Sequence, residues 1–180
     1  MKKKTFQFTK NIKLKLVDIR DARFILSLRT NKDLNKYINP TSKKFGDQVL
    51  WMKNYFKRNK QNLEYYFKFT IKKKNKTSKF GVARIIKLNK KNFSFGSWIM
   101  KPNQPNWYAI EAVLSIYKFA FEIKKFKKNK MWMDLKNQKI YKFHTSMGAK
   151  EIKRDKKQVY LDLNIRNYNI LKKKFAYFFI

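Results

Sequence analysis

At 180 residues the chain is long enough for one sizeable core, and its 43% apolar content excludes a disordered polymer. With no cysteine and a single histidine, a disulfide framework, a thiolate site and a multi-histidine metal site are excluded. The balance of 46 Lys+Arg against 11 Asp+Glu gives a formal charge of +35, which favours anionic partners: nucleic acid, ribosome, membrane surface or acidic ligand.

Met1-Lys2-Lys3-Lys4 has the basic start of a signal peptide, but Gln7, Thr9, Lys10 and Asn11 interrupt any apolar run after it. No apolar stretch approaches the roughly 18 residues of a membrane span, so the expected location is cytoplasmic. Ile12, Leu14 and Leu16 alternate with Lys13 and Lys15 as in a half-buried strand. Asp18 is positioned to cap a helix carrying Ala22, Ile25, Leu26 and Arg29, with Phe24 and Leu28 as a second apolar row. The helical pattern fades at Thr30-Asn31, a short helical piece is expected over Leu34–Ile38, and Asn39-Pro40-Thr41-Ser42 reads as a loop. Asp47 is placed to cap a second helix. Its Trp51/Tyr55 and Met52/Phe56 pairs at i, i+4 read as core.

Tyr65, Phe67, Phe69 and Ile71 mark the next strand. Lys72–Lys79 reads as a polar hairpin turn, and Val82, Arg84, Ile86 and Leu88 as the returning strand. After the turn at Asn89–Asn92, Phe93–Met100 completes an antiparallel meander. Pro102 and Pro105 then stop the strand. A long helix begins near Trp107, with Asn106 as its cap, and buries Ala109, Ala112, Val113, Ile116 and Ala120. Such a strand-loop-helix unit directs free N–H groups and a positive dipole end at its loop, a seat for a phosphate. Met131, Met133 and Leu135 form a fifth strand, which strand-helix-strand order makes parallel to Phe93–Met100. Asn137 is placed to cap a helix with Ile140, Phe143 and Met147 inward and Gly148 at its end. Strands follow at Lys150–Arg154 and Val159–Ile165. The tail 166–180, basic and then aromatic, is expected to pack back on the domain.

This order of elements, with its particular segments, resembles the GNAT superfamily of N-acetyltransferases, in the branch of ribosomal-protein and aminosugar enzymes. The likeness is carried by Leu14-Lys15-Leu16-Val17 with Asp21 and Ile25–Arg29, by Glu111–Leu114 through Tyr117–Glu122, and by Asn137 through Phe143–Lys150. It spans residues 12–165 of a single domain, 1–180. The resemblance implies an α/β fold with a mixed, mostly antiparallel central sheet flanked by helices. It implies acetyl-CoA as cofactor and a primary amine as acceptor, on a nucleotide-linked aminosugar or a protein N-terminus. Acetyl-CoA would enter between Phe93–Met100 and Met131–Leu135. Strand groups of Trp98, Ile99 and Met100 would meet the pantetheine arm, and Gln104, Asn106, Trp107, Tyr108 and Ala109 the pyrophosphate. The family's glycine-rich loop is here Gln104-Pro105-Asn106-Trp107-Tyr108-Ala109, which keeps the Gln and the Ala but neither glycine, so Trp107 and Tyr108 are expected to crowd the backbone.

The reaction requires that an amine lose its proton, that negative charge on oxygen be stabilised and that a thiolate be reprotonated. Asn137 corresponds to a family Asn near the cofactor, a role compatible with a helix cap. His144 falls where many members carry a Tyr that protonates the thiolate; the alternative is a helix-surface His beside a core Phe. Glu64, Glu111 and Asp134 are the candidate bases. Glu111 leads because a carboxylate on an apolar helix needs a reason, although a structural role is open to it as well. A rival reading is a non-catalytic basic module on nucleic acid or ribosome, supported by the charge and the glycine-free loop. Against it, the lysines are spread over the whole chain, and Lys, Asn, Ile, Phe and Tyr are all encodable by A/T-rich codons.

Overall fold

The computed structural model describes residues 5–73 and 76–180. In chain order the strands and helices are β1 (Thr5–Gln7), β2 (Ile12–Leu16), α1 (Ala22–Arg29), α2 (Phe45–Lys60), β3 (Glu64–Lys73), β4 (Lys76–Lys87), β5 (Asn92–Met100) and α3 (Asn106–Lys118). They continue with β6 (Lys128–Asp134), α4 (Gln138–Ser146), β7 (Lys150–Arg154), β8 (Gln158–Asn164) and α5 (Ile165–Lys174). All strands join one eight-stranded sheet in the order β1-β2-β3-β4-β5-β6-β8-β7. Every neighbouring pair is antiparallel except β5 and β6, so the crossover expected through α3 is present.

The alternating sequences explain the layering. One face of the sheet offers Phe67, Phe69, Ala83, Ile85, Phe93, Met131 and Leu161 to α3, whose Ala112, Val113, Ile116 and Tyr117 are fully buried. The other face offers Tyr66, Val82 and Ile99 to α1 and α2. Asp18 does cap, but it caps a 3₁₀ turn (Ile19–Asp21) ahead of α1, its Oδ1 accepting from Arg20 N–H at 3.0 Å. Asp47 does not cap: α2 starts two residues earlier, and Lys44 holds the cap position. The turn expected over Lys72–Lys79 is mostly strand, since β3 runs to Lys73 and β4 starts at Lys76; residues 74–75 lie outside the described chain.

Two elements were not expected. β1 is a three-residue edge strand paired with β2. The tail is a helix, α5, whose start Asn164 caps by accepting from Asn167 N–H at 3.0 Å. Tyr168, Leu171 and Phe178 from this tail are buried in the core, so it does pack back. Phe178 C=O accepts from Lys10 N–H at 2.9 Å.

Gly81 on β4 faces Met100 on β5. A Cβ there would stand 2.7 Å from the Ile99 carbonyl oxygen and 2.9 Å from Met100 Cγ. Backbone cannot yield as a side-chain tip does, so Gly81→Ala is expected to cost about 1–3 kcal/mol. Thermal melting checks this; an unchanged midpoint would mean that β4 and β5 separate there freely.

Candidate active site

β5 and β6 are paired only at Asn92↔Lys128 and Phe93↔Asn129. Beyond that point the Asn129 side chain replaces the strand: its Oδ1 accepts the Phe95 N–H at 3.0 Å. A β-bulge follows. Arg84 pairs with Gly96 and Val82 with Ile99, so Ser97 and Trp98 together oppose Ala83. Ser97 takes a left-handed conformation, φ 48°, which a non-glycine residue adopts at some cost. Lys101 N–H donates to Phe80 C=O on β4 at 2.7 Å. Strand alternation then turns Ile99 backbone groups toward β4 and those of Trp98 and Met100 toward the gap. Of the three expected strand contacts, Trp98 and Met100 therefore face the cleft and Ile99 does not.

At the end of the cleft the chain turns through Lys101–Pro105 into α3. Asn103 has φ 57°, and Gln104 Nε2 donates to Pro102 C=O at 3.0 Å. Pro105, not Asn106, occupies the cap position, and no side chain caps the helix. Proline here has its φ already set for the entry to the helix. Tyr108 N–H is taken by Pro105 C=O at 2.9 Å, which leaves Asn106 and Trp107 N–H at the exposed tip. Tyr108 does not crowd the loop: its ring is buried edge-on against Phe80 at 4.9 Å. Trp107 leans on Tyr108 at 4.3 Å.

His144 is not a surface residue. It is 4% exposed and lies among Phe95, Trp98 and Phe143 with ring centroids 5.6–5.9 Å away. Burial pushes its pKa down to about 4, so the ring is neutral at pH 7 and holds no spare proton to give. His144 Nδ1 and Trp98 Nε1 are both buried without a hydrogen-bond partner among the described residues. Two orphaned polar atoms beside the gap suit an amide- and carbonyl-bearing arm such as pantetheine. Asn137 stands at the start of α4 but its side chain makes no capping bond.

Glu111 is corrected by its surroundings. It has no exposed surface, and its carboxylate oxygens accept from Asn11 N–H (3.1 Å), Asn11 Nδ2 (2.6 Å) and Ile12 N–H (3.2 Å). It anchors α3 to the start of β2, out of reach of an acceptor. Glu64 is also buried, paired with Arg58 at 2.6 Å and Arg84 at 2.9 Å. Asp134 is exposed, and its Oδ1 accepts the Lys136 N–H at 2.7 Å in the turn after β6.

On the opposite face, a pocket of about 310 Å³ opens between α1, α2 and the Asn39–Ser42 loop, floored by Tyr66 and Arg84. Arg29 holds the loop: Nε donates to Thr41 Oγ1 at 2.8 Å and Nη2 to Asn39 C=O at 3.3 Å. Burial pushes the Tyr66 hydroxyl up to about 12, so it stays neutral. Gln48 is 5% exposed, and its Nε2 has no partner among the described residues. Asp47 and Trp51 complete the wall. Trp51 also stacks on Tyr55 at 6.0 Å, so the core reading of that pair accounts for only part of its surroundings. The sequence gives no local sign of this pocket, whose walls come from four separate elements and a loop.

The acetyltransferase (GNAT) domain model matches residues 11–150. The chain belongs to the GNAT acetyltransferases. Among solved structures, the GNAT fold seen here is similar to apo FdhC, described as a nucleotide-linked sugar GNAT. That match has 30% identity and a TM-score of 0.85 over 97% of this chain and 99% of that one. It is also similar in fold to spermidine N-acetyltransferase from Vibrio cholerae, solved with CoA and spermine. There the identity is 18% and the TM-score 0.75, over 88% and 98% of the two chains. No curated protein sequence matches it. The GNAT fold accounts for the mixed sheet, and no helix among the described residues is long and apolar enough to cross a membrane.

Proposed function

We propose that this GNAT domain acetylates the primary amine of a nucleotide-linked amino sugar, using acetyl-CoA. The observation that carries the reading is the cleft between β5 and β6. One end meets the uncapped start of α3, and the acceptor-sized pocket floored by Tyr66 and Arg84 lies on the α1/α2 face beside it. The likeness to FdhC supports the acceptor class.

When bound, acetyl-CoA supplies an acetyl group activated as a thioester. The N–H groups of Asn106 and Trp107 would hold its pyrophosphate at the helix dipole, with Gln104, Tyr108 and Ala109 shaping that turn. Backbone groups of Trp98 and Met100 would pair with the pantetheine arm, and Ile99 would back them from the core. Asn137 and the neutral His144 would offer hydrogen bonds at the cleft. Asp47 is the carboxylate in the pocket wall, free of the buried pairings of Glu64 and Glu111, and would draw in the acceptor ammonium and take up its proton. Gln48 and Tyr66, both neutral, suit sugar hydroxyls.

Acetyl-CoA at about 100 times its dissociation constant should stabilise the protein by about 2.7 kcal/mol, raising the melting temperature by roughly 5–10 °C. Thiol release should then follow with a nucleotide-linked amino sugar and not with spermidine or a peptide N-terminus. Absence of any shift at millimolar acetyl-CoA would favour a non-catalytic basic module. A shift with turnover of spermidine or the peptide alone would overturn the acceptor class.

A further inference from the structure

The helices α1 and α2 cover only part of their sheet face. The core beneath them reaches no farther than Val82 on β4 and Ile99 on β5. The same face of β6, β8 and β7 is bare. Trp132 on β6 is 50% exposed there. It stands directly opposite Tyr160 on β8, which faces Lys153 on β7. Lys153 Nζ lies 5.6 Å from the Tyr160 ring centre. The next row on this face is Lys130, Asp162 and Lys150. Lys130 and Lys150 make no ion pair among the described residues; Asp162 takes Lys128 at 3.0 Å.

This surface is in line with the pocket. Tyr66 pairs with Arg84, and Arg84 with Gly96. Continuing the parallel register from Phe93↔Asn129 by three residues brings Gly96 level with Trp132 across the cleft. One transverse row therefore runs Tyr66, Arg84, Gly96, Trp132, Tyr160, Lys153. A Cβ at Gly96 would meet nothing within 4 Å, so the middle of the row is an open trough. The distance from Arg84 to Trp132 is two strand spacings, on the order of 10 Å, widened by the splay.

We propose that the Trp132–Tyr160 surface is the nucleotide subsite of the acceptor, which rests on the acceptor class assigned above. The base stacks on the Trp132 ring, and the diphosphate meets Lys130, Lys150 and Lys153. The sugar crosses Gly96 so that its amine lies where the pocket, with Asp47 in its wall, opens beside the cleft, and its hydroxyls reach Gln48 and Tyr66. The chemistry of the two ends supports this division. The pocket arginines are already committed, Arg29 to the loop and Arg84 to Glu64, so the pocket's spare groups are the neutral Gln48 and Tyr66 and the anionic Asp47, none of which draws a phosphate. Lys130 and Lys150, without an ion pair among the described residues, are on the bare sheet beside the exposed aromatic ring, and a π-face with adjacent lysines suits a base and its phosphates. A second copy of the chain is disfavoured by repulsion at a formal charge of +35.

The test is titration of uridine diphosphate and thymidine diphosphate into protein saturated with CoA, so that the ADP portion of CoA occupies its own seat. Binding should weaken at least tenfold in Trp132→Ala, recover largely in Trp132→Phe, and weaken several-fold in Lys130→Ala. Inorganic pyrophosphate should bind weakly and be indifferent to Trp132→Ala. Melting temperature and the acetyl-CoA shift should match the parent protein, because the Trp132 side chain is half exposed on the open face of β6 and only the strand's backbone walls the cofactor cleft. Diphosphate affinity within twofold of the parent in Trp132→Ala, with the acetyl-CoA shift intact, overturns the subsite and leaves the acetyltransferase reading standing. Loss of nucleotide binding in Trp132→Ala without any acetyl-CoA shift in the parent supports the subsite and removes the enzyme reading. If a single-stranded oligonucleotide binds far tighter than the diphosphates and depends on Trp132, the occupant is nucleic acid and the proposal fails.

Discussion

Glu111→Ala should destabilise the protein by about 3 kcal/mol or more, the largest effect expected of any substitution at the candidate site. The variant leaves the buried Ile12 N–H without its acceptor, at about 1–3 kcal/mol, and also removes the charge-assisted bonds from Asn11 N–H and Nδ2, worth about 1.5–3 kcal/mol each at most, less what water returns at the exposed Asn11. For a chain of this size the melting temperature should fall by roughly 6–12 °C. Turnover per folded molecule should hold within a few-fold, because the side chain has no exposed surface from which to meet an acceptor. A variant that melts within about 2 °C of the parent but loses a hundredfold in turnover would restore Glu111 as a base.

The second large effect is a pH dependence of stability traceable to His144. The native pKa is pushed down to about 4 from an ordinary 6.5 by burial. Between those values the unfolded chain binds the proton and the native protein does not, so stability rises with pH across this window. On acidification it falls from about pH 6.5, and the loss levels off below about 4. The gap corresponds to about 3 kcal/mol, an order-of-magnitude figure. His144→Phe removes the group. The difference in stability between variant and parent should therefore move in favour of the variant by that amount between pH 7 and pH 4. Denaturant midpoints at several pH values check this, and parallel curves for the two proteins would show that His144 titrates normally. At pH 7 turnover should fall less than about tenfold, since a neutral ring supplies no standing acid and the usual weight of one is 10²-fold or more.

Periodicity carried most of the fold. Ile12-Leu14-Leu16 and Tyr65–Ile71 alternate because one side of each strand is core, and Ala112-Val113-Ile116 repeat as a buried helix must. Gly148 was legible as a helix end and adopts φ 87°. Short or strained features were not. β1 has only three residues, too few for a period to register. Ser97 carries the left-handed bulge without the glycine that marks such positions, so Phe93–Met100 reads as an unbroken strand. α5 did leave a trace, the capping Asn164, which the alternation running through to Ile165 concealed. At the candidate site, the chemistry of single residues misled where their burial decided the matter. His144 and Glu111 are polar by type, and only packing from distant segments shows that one is held neutral and the other fully bonded. The pocket has no linear signature, since Arg29, Asn39–Ser42, Gln48, Tyr66 and Arg84 converge only after the sheet has formed.

The seam between β5 and β6 has a mechanical meaning. Within the sheet, strands β1–β5 join strands β6–β8 at two ladder positions and the Asn129 side chain, with Lys91 C=O accepting from Lys127 and Lys128 N–H just ahead of them. The sheet is thus two leaves bound at one edge, with α3 as the spine packed across both. Opening fluctuations should concentrate at the free margin of the leaves and leave their interiors protected. A molecule lodged in the margin would act as a stitch, coupling two halves that otherwise breathe separately.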